Sequence, residues 1–400
     1  MELSTLQHQI IQAVEEARDT ILDVSHQIHA HPELGYEEVF ASGLLMQTLE
    51  EHGFQVEKGY SGIPTAFCAR KGAGNGPRVA FLAEYDALPV VGHGCGHNMI
   101  ATSALGAGIG LGAVVAQSGG EVWVVGTPAE ETDGAKVVMV DRGAFQAVDA
   151  ALMIHPHEKN YFLTESLAMD AIEVQFFGKP AHAAAAPWEG KNALDALILT
   201  FSNLNALRQQ IQPDARIHGV ITNGGAAPNI IPDHTVGRFY IRAKTRSYLN
   251  ELVGKFKACV QAAALATDTR FELRNYENSF DDMVNNHVLA ERMRDYFTEA
   301  LNSSPFLRAP DSFGSVDMGN VSQVVPAVHV LVDVADGRRL VPHTHEFQQA
   351  VATPYADAAI LRAGKALALT GYDVLTHPDF LEAARREFTA TLGHPPASSR

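Results

Sequence analysis

The chain has 400 residues and a formal net charge of −16, with 46% hydrophobic and 19% charged residues. That length is too great for one compact core, so two domains are expected, and the composition is that of a soluble globular protein. The acidic balance argues against nucleic acid or an anionic membrane surface as a partner, and three scattered cysteines, Cys68, Cys95 and Cys259, form no disulfide framework and fit a reducing cytoplasm.

The first 35 residues read as an amphipathic helix carrying Ile10, Val14, Ile21, Val24 and Ile28, without the basic start and continuous apolar core of a signal peptide. After the turn HPELGYEE, a second helix is predicted over 39–52. Strands at 77–83, 121–125 and 149–154 then alternate with helices at 99–116 and 135–145, the rhythm of a mostly parallel α/β sheet. The helix at 99–116 carries Gly106, Gly108, Gly110 and Gly112. Their spacing is wrong for a dinucleotide fingerprint, so they imply close helix packing.

From about Leu167 the pattern changes. Strand 168–177, helix 192–210, strands 215–222 and 235–243, helix 247–266 and strand 269–275 follow the order β-α-β-β-α-β of a split βαβ, ferredoxin-like sandwich. Helix 286–301, strand 327–334 and helix 350–369 then resume the first pattern. The expectation is a discontinuous α/β domain over 1–166 and 279–400, interrupted by an α+β insert over 167–278. The tail GHPPASSR is expected to fray.

Ligands of open α/β sheets gather beyond the carboxyl ends of the strands, and the ionisable clusters fall there. AEYDALPVVGHGCGHN supplies Glu84, Asp86, His93, Cys95 and His97; the next strands lead to Glu130–Glu131, to His155 and His157, and to His343 and His345. In extended backbone Cys95 and His97 would project to one side, as two ligands of one centre do; a Gly-rich turn around a buried cysteine is the plainer alternative. Four strand ends with ligand-type residues favour a metal site, and thiolate, imidazole and carboxylate together suit zinc, with manganese or cobalt as alternatives. One of the paired glutamates can bind metal and leave the other as a base, the apparatus for hydrolysing an amide; without the other ligands the pair would read as acidic residues favoured by a helix N-terminus.

The motifs AEYDALP, GHGCGHN, GTPAEE, GKPAHAAAAPWEGKNALDA, APNIIPD and GSVDMGNVSQVVPAVH resemble those of a dinuclear metal-dependent amidohydrolase and exopeptidase family. The family includes aminoacylase and glutamate-releasing carboxypeptidases, and the likeness is strongest to the branch with p-aminobenzoyl-glutamate hydrolase, auxin-conjugate amidohydrolases and the β-alanyl-lysine type of dipeptidase. The resemblance implies Cys95, His97, Glu131, His155 and His343 as ligands of two divalent ions, Glu130 as general base, and Asp86 as the carboxylate that orients a ligand, His97 being its expected partner. It implies that His182 reaches the substrate oxyanion, in many members from the partner subunit, and that Asn229 and Arg242 contact substrate, with the insert acting as lid and in homodimerisation. The expected reaction is cleavage of an amide bond next to an amino-acid carboxylate in a dipeptide, N-acyl amino acid or aminobenzoyl-amino acid. The rivals are a metal-poor, catalytically silent relative that binds an amino-acid-like ligand, and a structural-zinc protein with closed sites.

The chain departs from the family at Thr132-Asp133-Gly134, where glycines are usual, at Gly94, where alanine is commoner, and at Val316, where a hydroxyl residue is expected. His343 is favoured over His345 by the family pattern, and His93 is expected to support ligands and not to be one. His26, His29 and His31 are best explained by solvation or capping, Trp188 by a turn, and Asp317 by either structure or substrate contact.

Overall fold

The computed structural model describes residues 2–310 and 314–399. The chain divides into two compact units, Met1–Glu165 with Met283–Arg400, and Ser166–Asp282. The return crossing lies at 282/283, where the sequence pattern places it at 278/279, because Phe280 pairs with Met169 and Asp281 with Arg246 inside the second unit.

In the first unit, α1 (Thr5–Glu16), α2 (Arg18–Ala30) and α3 (Val39–Glu51) precede β1 (Gln55–Lys58), β2 (Phe67–Gly72) and β3 (Arg78–Ala83). Then come α4 (His97–Gly112), α5 (Val115–Ser118), β4 (Glu121–Gly126), α6 (Ala135–Asp141) and β5 (Ala150–His157). The second unit contains β6 (Ala168–Phe177), α7 (Ala193–Leu207), β7 (Arg216–Asn223), β8 (His234–Ala243), α8 (Arg246–Thr267) and β9 (Arg270–Asn275). The first resumes with α9 (His287–Asp295), α10 (Met318–Ser322), β10 (Ala327–Asp333), α11 (His345–Ala350), α12 (Pro354–Thr376) and α13 (Pro378–Leu392).

The six-stranded sheet has the order β1-β2-β4-β3-β5-β10. β3, β4, β5 and β10 run parallel, while β1 and β2 pair antiparallel at one edge. Alternate side chains serve two cores: Val79, Phe81 and Val124 face one, and Ala80, Leu82 and Trp123 the other, as expected of strands covered on both faces. α4 is buried along its whole length and has no room for side chains at two of its glycines: a Cβ at Gly108 would lie 2.4 Å from Val124 Cγ2, and one at Gly110 2.6 Å from Val14 Cγ2.

The second unit is an antiparallel sheet of order β7-β8-β6-β9. Its core joins Ile172, Val174 and Phe176 of β6 and Phe239 and Ile241 of β8 to Leu197 of α7 and Phe256 of α8. Arg238, Tyr240 and Arg242 alternate with these buried β8 residues.

Several boundaries differ from the sequence expectation. The N-terminal helix is broken at Ala17, and the helix predicted over 135–145 ends at Asp141. The one predicted over 286–301 is α-helical only to Asp295 and continues as a π-turn, Tyr296–Ala300. The helix predicted over 350–369 begins at Pro354, whose ring fits a first turn, and runs to Thr376. The tail is tied down where the Ala397 amide donates to the Val324 carbonyl. Among the described residues no helix is long and apolar enough to cross a membrane.

Candidate metal centre

Register sets the rim of the first sheet. Ala83 pairs with Gly126 at the ends of β3 and β4, and Leu331 of β10 pairs with His155 of β5, so four parallel strands finish along one edge. Cys95 and His97 converge there by a route other than the extended backbone expected. Gly96 between them has φ 79° and turns the chain left-handed into the first residue of α4. A Cβ at Gly96 would lie 2.5 Å from Pro156 Cγ, so this close approach requires glycine.

The ligand-type atoms of Cys95, His97 and His155 lie within 4.8 Å of one another, as do those of Cys95, Glu131 and His343, and those of His97, Glu130 and Glu131. The five expected ligands and the expected base therefore form one cluster. The two buried histidines are oriented alike. His97 Nδ1 is 2.9 Å from Asp86 Oδ1, and His155 Nδ1 is 2.7 Å from the Pro156 carbonyl, so each Nδ1–H is used and each Nε2 is turned to the cluster. His97 Nε2 has no hydrogen-bond partner, while His155 Nε2 is 3.4 Å from Cys95 Sγ. His343 Nε2 lies 3.2 Å from Glu131 Oε1. A buried imidazole nitrogen without a partner is costly, and its alignment with a thiol and a carboxylate fits a metal ion.

Asp86 orients two of these groups at once, because its Oδ2 accepts the Glu131 amide at 2.9 Å. Two turns that carry residues of this cluster hold strained backbone. Ala129, just before the glutamates, has φ 57°, and His343 has φ 66°, a left-handed region unusual for both residues. Glu38 Oε1 accepts the Ala129 amide at 2.8 Å, and the Gly94 carbonyl accepts the His343 amide at 2.8 Å, so neighbouring elements hold each turn.

The electrostatics follow from burial. Burial and the adjacent Glu131 and Glu84 carboxylates push Glu130 well above the usual carboxylate range, which suits a proton acceptor. Burial opposes charge on His97, but Asp86 holds it well above the histidine range. Burial takes His155 down to about 3, leaving it neutral and able to coordinate, and pushes the Cys95 thiol well up.

His182, Asn229 and Arg242 belong to the second unit. His182 Nδ1 accepts the amides of Ala184 at 3.3 Å and Ala185 at 3.2 Å, so a neutral ring carries its proton on Nε2. The Asn229 carbonyl accepts the Ala183 amide at 3.0 Å, drawing the KPAHAAAAP and APNIIPD loops together. Arg242 stacks over Tyr240 at 5.5 Å, and its Nε has no hydrogen-bond partner.

Residues 80–363 match the peptidase family M20/M25/M40. The chain belongs to this family. It is a hydrolase acting on peptide bonds. It is 38% identical over 409 residues to the Xaa-Arg dipeptidase of Mus musculus, covering 98% of this chain and 94% of that one. It is 35% identical over 302 residues to a p-aminobenzoyl-glutamate hydrolase component of Escherichia coli, covering 70% of this chain and 62% of that one. A solved Bacillus subtilis structure, named a dinuclear metal binding peptidase of the M20 family, superposes with a TM-score of 0.66 at 19% identity, covering 89% of this chain and 99% of that chain.

Other details of this M20/M25/M40 peptidase escaped the sequence reading. Lys136 is fully buried, between Glu84 Oε1 at 2.5 Å and Asp317 Oδ1 at 2.8 Å, which gives Asp317 a structural contact. The available signal was a single lysine in the otherwise apolar start of α6. His329 is buried beside His155, ring centroids 5.6 Å apart, and neither of its ring nitrogens has a hydrogen-bond partner. Gly94 also gains a reason: a Cβ there would lie 2.5 Å from Val91 Cγ1. His93 is buried and stacked on His29 at 6.2 Å, and His31 Nδ1 meets the Gln27 carbonyl at the end of α2.

Proposed function

We propose that this peptidase uses two divalent ions, zinc foremost and manganese or cobalt as alternatives, to cleave an amide bond beside an amino-acid carboxylate. The substrate is a dipeptide, an N-acyl amino acid or an aminobenzoyl-amino acid. The convergence of Cys95, His97, Glu131, His155 and His343, with Glu130 in the same cluster, carries this reading. Such ions, when bound, lower the pKa of a water and polarise the scissile carbonyl. Glu130 accepts a proton at its carboxylate and delivers it to the leaving amine, which needs the mobility of a group that is not itself a ligand. Asp86 keeps His97 and Glu131 in position. His182, with its proton on Nε2, is suited to donate to an oxyanion, and the planar fork of Arg242 suits a carboxylate.

The chain is further proposed to work in the cytoplasm as a homodimer formed through the second unit. Val220 and Ile221 are exposed on β7, an edge strand, which supports pairing between copies.

The test is mass spectrometry of zinc-, manganese- and cobalt-loaded protein with dipeptides, N-acetyl and aminobenzoyl amino acids. The mouse relative's name places Xaa-Arg dipeptides first in that panel. Release of a free amino acid in any metal arm supports the reading. No hydrolysis in any arm refutes this choice of substrate class and metals.

A further inference from the structure

Beside the ligand cluster lies a buried ionic group that the reaction outlined above does not use. The Lys136 ammonium touches Glu84 Oε1 at 2.5 Å and Asp317 Oδ1 at 2.8 Å, and the Lys136 amide donates to Asp317 Oδ2 at 3.1 Å. None of the three side chains is more than 2% exposed. Buried ion pairs are often no more stabilising than apolar residues of the same volume, so stability alone is a poor reason for a lysine in an apolar helix.

The second oxygen of Glu84 gives a better one. Glu84 Oε2 is buried, has no hydrogen-bond partner, and lies 3.6 Å from His97 Nε2, which also has none. The carboxylates of Glu131 and Glu130 lie slightly farther from that nitrogen, at 3.9 and 4.0 Å. Asp86 occupies His97 Nδ1, so His97 cannot satisfy Glu84 by turning its other nitrogen toward it. Two orphaned buried atoms that each present a lone pair, the Nε2 of an imidazole whose proton is held on Nδ1 and a carboxylate oxygen, thus face the same small volume. A cation there satisfies both.

We propose that Glu84 is a further carboxylate ligand of the metal centre and that Lys136, braced by Asp317, is the residue that positions it. The proposal rests on the metal-centre reading above. Lys136 holds one oxygen of Glu84 and leaves the other directed at the cluster, a division that neither glutamine nor an apolar pairing reproduces. It adds an oxygen donor on the side of His97 occupied by Glu130 and Glu131, so it favours an oxygen-preferring ion such as manganese there.

The experiment compares wild-type full chain with E84Q, E84D, K136M and E130Q. Metal content is measured by plasma emission, zinc and manganese affinity by competition with a chromophoric chelator, and coordination by the visible spectrum of the cobalt-loaded protein. E84Q should weaken one of the two ions by roughly 10–100-fold, manganese more than zinc, and change the cobalt spectrum. E84D keeps the charge for Lys136 but shortens its reach, and should fall between E84Q and wild type. K136M should follow E84Q; if it does not fold, the two Glu84 variants decide alone. E130Q should keep both ions. Wild-type affinities and cobalt spectrum in E84Q and E84D, with two ions still bound, would overturn this assignment alone. A wild-type protein that takes up no ion would overturn the metal reading and this inference with it.

Discussion

Replacing Asp86 with asparagine tests the central positioning claim with almost no change of volume. The aspartate uses both oxygens, one for His97 Nδ1–H and one for the Glu131 amide, each at 2.9 Å. Asparagine has one oxygen, so one donor must face an NH2 group. A hydrogen bond to a charged acceptor contributes about 1.5–3 kcal/mol, and here its loss misdirects a residue of the ligand cluster. Loss of such an orienting partner weakens metal binding by roughly 10–100-fold, or about 1.4–2.7 kcal/mol. Chelator competition with zinc should show that loss, with metal-free D86N still folded by circular dichroism. An affinity within about threefold of wild type would refute the claim that Asp86 sets the geometry of these ligands.

Four further outcomes follow from individual contacts. E130Q should retain metal and bind substrate within a few-fold, while kcat falls by about 10²–10⁴; steady-state kinetics beside metal analysis would show otherwise if Glu130 were only structural. Burial holds the Glu38 carboxyl at about 7 against an ordinary 4.5. The folded state therefore binds that proton more tightly than the unfolded state. Glu38 makes stability decline as pH rises from 4.5 to about 7, by about 3 kcal/mol, and level off above. Urea unfolding across that window should show the slope in wild type and its loss in E38Q. In α4, G108A drives a Cβ to 2.4 Å from Val124 Cγ2 and should cost about 1–3 kcal/mol. G43A in α3 meets nothing within 4 Å and should stabilise by about 0.8–1 kcal/mol; denaturation midpoints test both.

The parallel strands were legible because β3, β4, β5 and β10 are apolar runs bounded by turn residues, and the insert announced itself by its β-α-β-β-α-β order. β1 and β2 were missed for a physical reason. Gln55–Lys58 is short, polar and at the sheet edge, and Phe67–Gly72 ends in charge, so neither carries the signature of a buried strand. At the site, residue types at strand ends were readable because metal chemistry restricts the choice of side chain. The backbone that aims them was not. The left-handed turns at Ala129 and His343 arise from packing and not from local preference. Lys136 was hidden for the same reason, since its partners Glu84 and Asp317 are 52 residues before it and 181 after it in the chain.

The interrupted sheet has a consequence for synthesis. β5 pairs with β10, yet all of Ser166–Asp282 is translated between them. During that interval β5 is an unpaired edge, rich in alanine and aliphatic side chains, of the kind that recruits other strands. The insert has its own core. His343 follows β10 in the chain, so the cluster of Cys95, Glu131 and His343 is assembled only after β10 has been made. A chain truncated before β10 therefore lacks His343 and leaves the β5 edge open to other strands.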